Sequence, residues 1–494
     1  MFSGTVKLLD LNDYIKPGEE CVVLKKSETA TKSQKIEVLF DGTDVKSDLI
    51  KPNAEQKAEI SLGDCLACNG CITTSEALLI QEQSAESLRQ NYLKHKFRAA
   101  IVTPQSLSSI ALHFKVSLEE AYFRISSFFR RKFEFDLVLD CFAFVELSKY
   151  FSFQEFCKLH SLPSAGSNQF FDYFQNSKEG LVGPKQVEST LICSECPGWV
   201  CYLEKVLGDS VIPYASKVKP PQLIAAEMIK NLAKIHKKSE EYGESYVVLI
   251  APCFDKKLEA SREEMKGQRL VVDLVLSSDE MKQLLLEEKE SELPEDHPCF
   301  ESYDFLQKVT SESTDLFFAS IPRSEIKLFR SFMHFGSSNG YVDYFMRNLC
   351  SRNESGLSIT PRKNKNFMEF VLKNENSGKT FTFALVYGFK NLQNFVREVK
   401  TKKLKYHYVE AMACPSGCLG GGGQIKSEEK VDVMVEQMKA SLEGLAVQSE
   451  LQGEMIGKLA AKVADRELSA VLLPEFLDYP MEAVKNKDTL HINW

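Results

Sequence analysis

The sequence predicts an α/β protein with mainly parallel sheets, and three observations carry that reading. Short apolar runs recur along the chain, each is followed or preceded by a stretch with helical spacing, and the 494-residue length exceeds what one small core organises. Apolar runs without alternation suit strands covered on both faces, as in a parallel sheet between helical layers.

Taken in order, residues 1 to about 60 are polar and broken by charges, with a strand-like KIEVLF at 35 to 40, and read as an arm. SLGDCLACNGCITTSEALLI (61 to 80) places three cysteines in a turn-rich stretch ahead of an apolar-periodic one. AAIVTP (99 to 104) is a short apolar run before the helical SLEEAYFRISSFFRRK (117 to 132). FDLVLDC (135 to 141) precedes another helix, and STLIC (189 to 193) precedes PGWVCYLEKVL. The helix-like PPQLIAAEMIKNLAKIHKK (220 to 238) leads into the strand YVVLIAPC (246 to 253), and RLVVDLVLSS (269 to 278) leads into EMKQLLLEE. From 278 to 330 the chain is charge-rich, without turn chemistry that places an element. FTFALVYGF (381 to 389) and YHYVEAMAC (406 to 414) are later strands, with the helix-like NLQNFVREVK (391 to 400) between them. Beyond 425 a charged, helical extension ends in HINW.

Composition is 44% hydrophobic and 26% charged, with a net charge of -8 and a pI near 5.7. An acidic balance argues against nucleic acid as the main partner, because phosphate binding needs a basic field. MFSGTVKLLDLNDY carries acids where a signal peptide needs an apolar core. No apolar run approaches the roughly 18 residues of a membrane span. The expected location is therefore cytoplasmic, with the nucleus open to it. In such a reducing compartment 14 cysteines are not a disulfide framework, and those that cluster point to metal.

Cys65, Cys68 and Cys71 form CLACNGC. Two residues between successive thiols make turns that aim three sulfurs at one face of an iron-sulfur cubane, with zinc as the rival occupant. The fourth position of a ferredoxin-type run is Ser75, which leaves Cys21 in the arm as the available fourth ligand.

A second constellation is dispersed. CPGWV (196 to 200) puts Cys196 at a strand-to-helix turn, where the helix start is expected to lower its thiol pKa. APCFDKKLE (251 to 259) puts Cys253 at the carboxyl end of a strand, the usual ligand-binding edge of an open α/β sheet. EAMACPSGCLGGGGQ (410 to 424) adds Cys414 and Cys418, followed by glycines that let backbone amides approach sulfur closely. Lys256 offers a cation to offset the charge of a thiolate cluster. Cys141, Cys157, Cys201, Cys299 and Cys350 read as small hydrophobes, and Cys193 as a structural residue inside a strand.

These three segments resemble the iron-only hydrogenase superfamily, in which CPGW, PC-x2-KK-x-E and E-x-MAC-x-x-GC-x-x-GGGQ hold the active-site cluster. The match spans roughly residues 60 to 425. The resemblance implies that Cys196, Cys253, Cys414 and Cys418 ligate a cubane, and that Lys256 and Glu259 correspond to residues near a two-iron subsite bridged in hydrogenases through the position of Cys418. Three positions depart from that pattern: Glu195 replaces the proton-relay cysteine, Ala251 replaces a methionine, and Ile425 replaces a proline.

With DCLACNGCIT, CFDKKLEASR and a terminal Trp494, the combination resembles the eukaryotic hydrogenase-like cytosolic iron-sulfur assembly factors, the nuclear prelamin A recognition factor-like family. That resemblance implies two hydrogenase-like lobes with flanking helices and two 4Fe-4S clusters, one on Cys21, Cys65, Cys68 and Cys71. It also implies a non-catalytic role that bridges an early scaffold to a targeting complex containing a WD40 propeller protein, maturing cytosolic and nuclear apoproteins. Trp494, an indole joined to a terminal carboxylate, is the expected docking residue for that complex. The alternative is a degenerate redox enzyme with Glu195 carrying protons. The expected units are an iron-sulfur segment over 1–95, a first α/β lobe over 96–265, a second over 266–425, and an extension with a targeting tail over 426–494.

Overall fold

The computed structural model describes residues 80–160, 162, 190–235, 245–265, 271–287, 301–302, 305, 338–350, 355–374, 380–401, 405–427 and 429–443. Nine strands are described: β1 (Arg98–Val102), β2 (Leu137–Asp140), β3 (Leu191–Cys193), β4 (Tyr246–Ala251), β5 (Leu274–Ser277), β6 (Ser355–Asn364), β7 (Phe367–Asn374), β8 (Thr380–Tyr387) and β9 (Tyr408–Met412). The described α-helices are α1 (Ala85–Asn91), α2 (Pro104–Phe114), α3 (Leu118–Phe133), α4 (Phe142–Leu159), α5 (Pro197–Tyr202), α6 (Pro221–Ile235), α7 (Asp255–Met265), α8 (Ser278–Glu287), α9 (Tyr341–Cys350), α10 (Phe389–Lys400) and α11 (Val431–Glu443).

Local chemistry sets the helix limits. Thr103 caps α2 by accepting from the Ser106 N–H, and Pro104 stands first in the helix, where its missing donor costs nothing. Ser117 caps α3, Glu119 and Glu120 occupy the first turn, and Arg130, Arg131 and Lys132 the last, each complementing the helix dipole.

The first sheet runs β2-β1-β4-β5 and is parallel throughout, with Ala99 opposite both Leu137 and Val247, and Val248 opposite Leu274. Its strands alternate between two cores. Ala99, Ile101, Val247 and Leu249 face one, whereas Ala100, Val102, Val248 and Ile250 face the other. Burial on both faces explains why these strands read as unbroken apolar runs.

The second sheet runs β3-β9-β8-β7-β6. β3, β9 and β8 are parallel, and the antiparallel β7 and β6 extend it. It shares the first of those cores, where Phe345 packs edge to face on Phe153 and Phe156 and tilted on Tyr408.

The sheets do not divide at 265/266. β3, from the stretch expected in the first lobe, lies in the second sheet, and β5, expected in the second, pairs with β4 in the first. Each sheet is completed by a strand from across that boundary. In the expected C-terminal extension α11 is helical, with Met434, Val435, Met438 and Leu442 on its buried face. No helix among the described residues is long and apolar enough to cross a membrane.

Candidate metal centre

Three strand ends build the site. Cys196 follows β3 and starts α5, Cys253 lies two residues beyond β4, and Cys414 lies two beyond β9. Cys418 sits in the 3-10 turn Gly417–Gly420 that continues the same loop. Because β4 belongs to one sheet and β3 and β9 to the other, the carboxyl edges of both sheets converge here. Each of the four thiols is within electrostatic reach of the other three. The Ala413 N–H points to the Cys196 sulfur at 3.4 Å, joining the first and last motifs directly.

The glycines make this convergence possible. A Cβ at Gly421 would overlap the Pro252 carbonyl oxygen, and one at Gly420 would overlap the Pro415 carbonyl oxygen. A Cβ at Gly423 would stand 3.2 Å from the backbone of Cys253. Only residues without side chains let this loop lie against the Cys253 strand end.

Burial, foremost, pushes all four thiols up. Cys196 rises to about 11, with Asp255 adding to the effect, and Cys253, Cys414 and Cys418 rise well above their ordinary value. The expected lowering of Cys196 by the helix start is therefore reversed, since loss of hydration outweighs the field of a six-residue helix. Thiols of this kind become thiolates when a metal replaces the proton, so metal binding and deprotonation are coupled.

Lys256 is 4% exposed, and its Nζ donates to the Glu195 carbonyl at 2.6 Å and to Glu259 at 3.2 Å. Burial opposes its charge, but Glu259, Cys253, Glu195 and Cys418 outweigh burial and hold its pKa above the usual value. Glu259 also accepts from Gln222 at 3.0 Å. The donor set fits an iron-sulfur core: four mutually close thiols, a backbone cradle without side chains, and a buried cation. Among the described residues no three His, Cys, Asp or Glu side chains gather tightly enough for a lone metal ion. A core of several irons reaches thiolates set further apart than one ion does.

Cys21, Cys65, Cys68, Cys71 and Trp494 lie outside the described residues, as does Cys299. The described chain begins at Ile80, which packs with Cys201 and Leu258. Gln83 then donates to the Lys257 carbonyl at 2.7 Å and to Ser261 at 2.6 Å, fastening the chain that follows CLACNGC onto α7. Cys193 lies in β3, where burial pushes its thiol up and Ser216, Tyr408 and Ser152 surround it.

Sequence reasoning missed the buried amides beside the thiols. Asn339 donates to Glu195, Gln105 donates to Asn339, and Gln424 reaches the Gln105 carbonyl. Gln424 closes the glycine run and so stood in view, but nothing in the sequence joins it to positions 105 and 339.

A family profile described as the C-terminal domain of the iron-only hydrogenase large subunit matches residues 96–422. The cytosolic Fe-S cluster assembly factor narfl of Xenopus tropicalis is 34% identical over 451 residues, 86% of this chain and 85% of that protein. Cytosolic iron-sulfur assembly component 3 of Rattus norvegicus is 32% identical over 455 residues, 87% of this chain and 85% of that protein. In fold, the chain resembles an apo FeFe-hydrogenase from Chlamydomonas reinhardtii with a TM-score of 0.56 at 19% identity, covering 82% of this chain and 98% of that one. By this profile match and these relatives, the chain belongs to the iron-only hydrogenase large-subunit family and, within it, to the cytosolic iron-sulfur assembly factors.

Proposed function

We propose that Cys196, Cys253, Cys414 and Cys418 hold a 4Fe-4S cluster, and that the chain serves cytosolic iron-sulfur protein assembly without being a catalyst. The convergence of four thiols from three separate strand ends carries this reading. When bound, such a cluster supplies a one-electron couple and a metal cross-link between the two sheets. The chain's own residues orient the thiolates, place the Lys256 charge beside them and exclude side chains from the glycine side.

A second cluster is assigned to Cys21, Cys65, Cys68 and Cys71, and Trp494 to docking on the targeting complex with its WD40 propeller protein. In this reading the chain bridges that complex and an early scaffold, and serves apoproteins of cytoplasm and nucleus. A non-catalytic role is supported by Glu195. It stands where hydrogenases place a proton-relay thiol, and its carboxylate is bound by the Asn339 side chain at 2.6 Å and its backbone N–H at 3.3 Å. The redox-enzyme reading draws on one observation, that burial raises the Glu195 pKa above its ordinary carboxylate value.

Hydrogen uptake and evolution assays on anaerobically purified, cluster-replete protein separate the two. No turnover and no infrared bands of cyanide or carbonyl on iron are expected. Sustained turnover with such bands overturns the assembly reading.

A further inference from the structure

The hydrogen-bonded pair of Glu195 and Asn339 belongs to a longer buried network. Asn339 Nδ2 donates to Glu195 at 2.6 Å, and Asn339 Oδ1 accepts from Gln105 Nε2 at 2.8 Å. The Gln105 carbonyl accepts from Gln424 Nε2 at 3.1 Å, and Gln424 Oε1 accepts from Ser278 at 2.7 Å. On the other side, the Glu195 carbonyl accepts from Lys256 at 2.6 Å. Ser338, adjacent to Asn339, accepts from the Cys418 N–H at 3.0 Å.

Glu195, Asn339, Gln105, Gln424 and Ser278 are all at most 6% exposed. The chain of bonds therefore touches the immediate neighbourhood of three ligand candidates: Cys196 through Glu195, Cys253 through Lys256, and Cys418 through Ser338 and Gln424. It crosses from the β3 loop to α2, α7 and α8 without relying on water.

A small cavity adjoins Glu195. It measures about 10 Å³, room for about one water, and is lined by Ser148, Cys193, Glu195, Tyr341 and Glu410 among others. The Glu195 carboxylate is held by bonds of fixed polarity. A buried network with every donor facing an acceptor is rigid, whereas one reversed group leaves two like atoms confronting each other.

We infer that Asn339 is a positioning residue, paired in polarity with Glu195, that locks the ligand loops in the spacing the cluster requires. This rests on the proposed cluster at Cys196, Cys253, Cys414 and Cys418. The pair acts on cluster retention and electronic structure through the loops, without touching the metal.

The polarity of the pair makes a reciprocal test available. Asn339→Asp sets carboxylate against carboxylate, and Glu195→Gln sets an amide NH2 against an amide NH2 or its backbone equivalent. In the double variant that combines E195Q with N339D, the amide introduced at position 195 presents a donor to the carboxylate introduced at position 339 and an acceptor to the backbone N–H there. The side-chain bond is thereby restored in reversed sense, and the backbone bond is kept. Full-length protein purified anaerobically is reconstituted with iron and sulfide. Iron release to a chelator is then timed, and the dithionite-reduced protein is examined by electron paramagnetic resonance.

Each single variant is expected to release iron several-fold faster from the strand-end site and to change its resonance. The double variant is expected to return to within about twofold of the unsubstituted rate, with the original spectrum. Singles that match the unsubstituted protein, or a double no better than the singles, overturn the inference. Should the singles fail to fold, recovery of folding and spectrum in the double supports it, and failure of the double overturns it. Lack of a strand-end cluster in the unsubstituted protein is a separate outcome, which removes the function reading and this inference with it.

Discussion

Gly423 donates its backbone N–H to the Pro252 carbonyl at 2.9 Å, so the glycine run of the last cysteine motif is bonded to the residue just before Cys253. The Gly423 carbonyl in turn accepts from the Asp279 N–H at 3.2 Å, which ties the run to the start of α8. At Gly423 the loop is thus held from both sides by backbone bonds.

Gly421→Ala tests that contact. The added methyl overlaps the Pro252 carbonyl although the Gly421 φ of -63° suits any residue, so the cost is steric and not conformational. A loss of about 1 to 3 kcal/mol of stability and of cluster iron is expected, read by urea unfolding and iron analysis. Unchanged iron and unfolding midpoint contradict the cradle.

Cys253→Ala and Cys21→Ala should differ in kind. Two cubanes correspond to about eight iron and eight acid-labile sulfide per chain. Loss of Cys253 is expected to halve iron and lower thermal stability, since the proposed cluster would join two sheets and its binding energy would count toward folding. Loss of Cys21 should halve iron and leave the α/β body folded. Equal destabilisation by both variants contradicts this ranking.

Lys256→Met removes the buried cation beside the thiols. The reduced, more negative cluster loses the larger share of stabilisation, so its potential should move to more negative values in a redox titration. Breaking the Lys256–Glu259 pair should also cost on the order of 3 kcal/mol. A shift to more positive potential would falsify the assigned role of the cation.

Burial, and secondarily His407 at 5.3 Å between ring centroids, lowers the His160 pKa to about 4. The unfolded imidazole takes up a proton near 6.5 while the folded one stays neutral. Stability is therefore whole above 6.5 and is lost progressively as pH falls toward about 4. His160→Leu should flatten the fall in urea midpoint between neutral and mildly acid solution, leaving a residual slope from His407, whose pKa burial also lowers. Parallel profiles for the two proteins rule this out.

Much of the fold was legible because β1, β2, β4 and β5 are buried on both faces and show as bare apolar runs. α2 was missed, since its Thr103 cap and leading Pro104 sit inside the run AAIVTP and polar Gln105 and Ser106 follow. The β6–β7 hairpin was missed. It turns through Asn364, Lys365, Asn366 and Phe367 with no glycine, and FMEFVLKN carries charge within its strand. The cysteine motifs pointed to the candidate site through their places at strand ends and, for Cys414 and Cys418, their close spacing. The Gln105, Glu195, Asn339 and Gln424 network left no such trace, because its partners meet only after the chain has folded.

The exchange of strands between sheets also bears on biosynthesis. Leu191 pairs with Tyr408, so at translation rates of roughly 5 to 20 residues per second Cys196 leaves the ribosome about 10 to 40 s before its sheet partner. During that interval no cage exists to receive a cofactor, and an unpaired strand bearing a thiol is open to chaperones and oxidants. On the proposed assignment, metallation at the strand ends is a late maturation event, after the nascent polypeptide has passed Cys418.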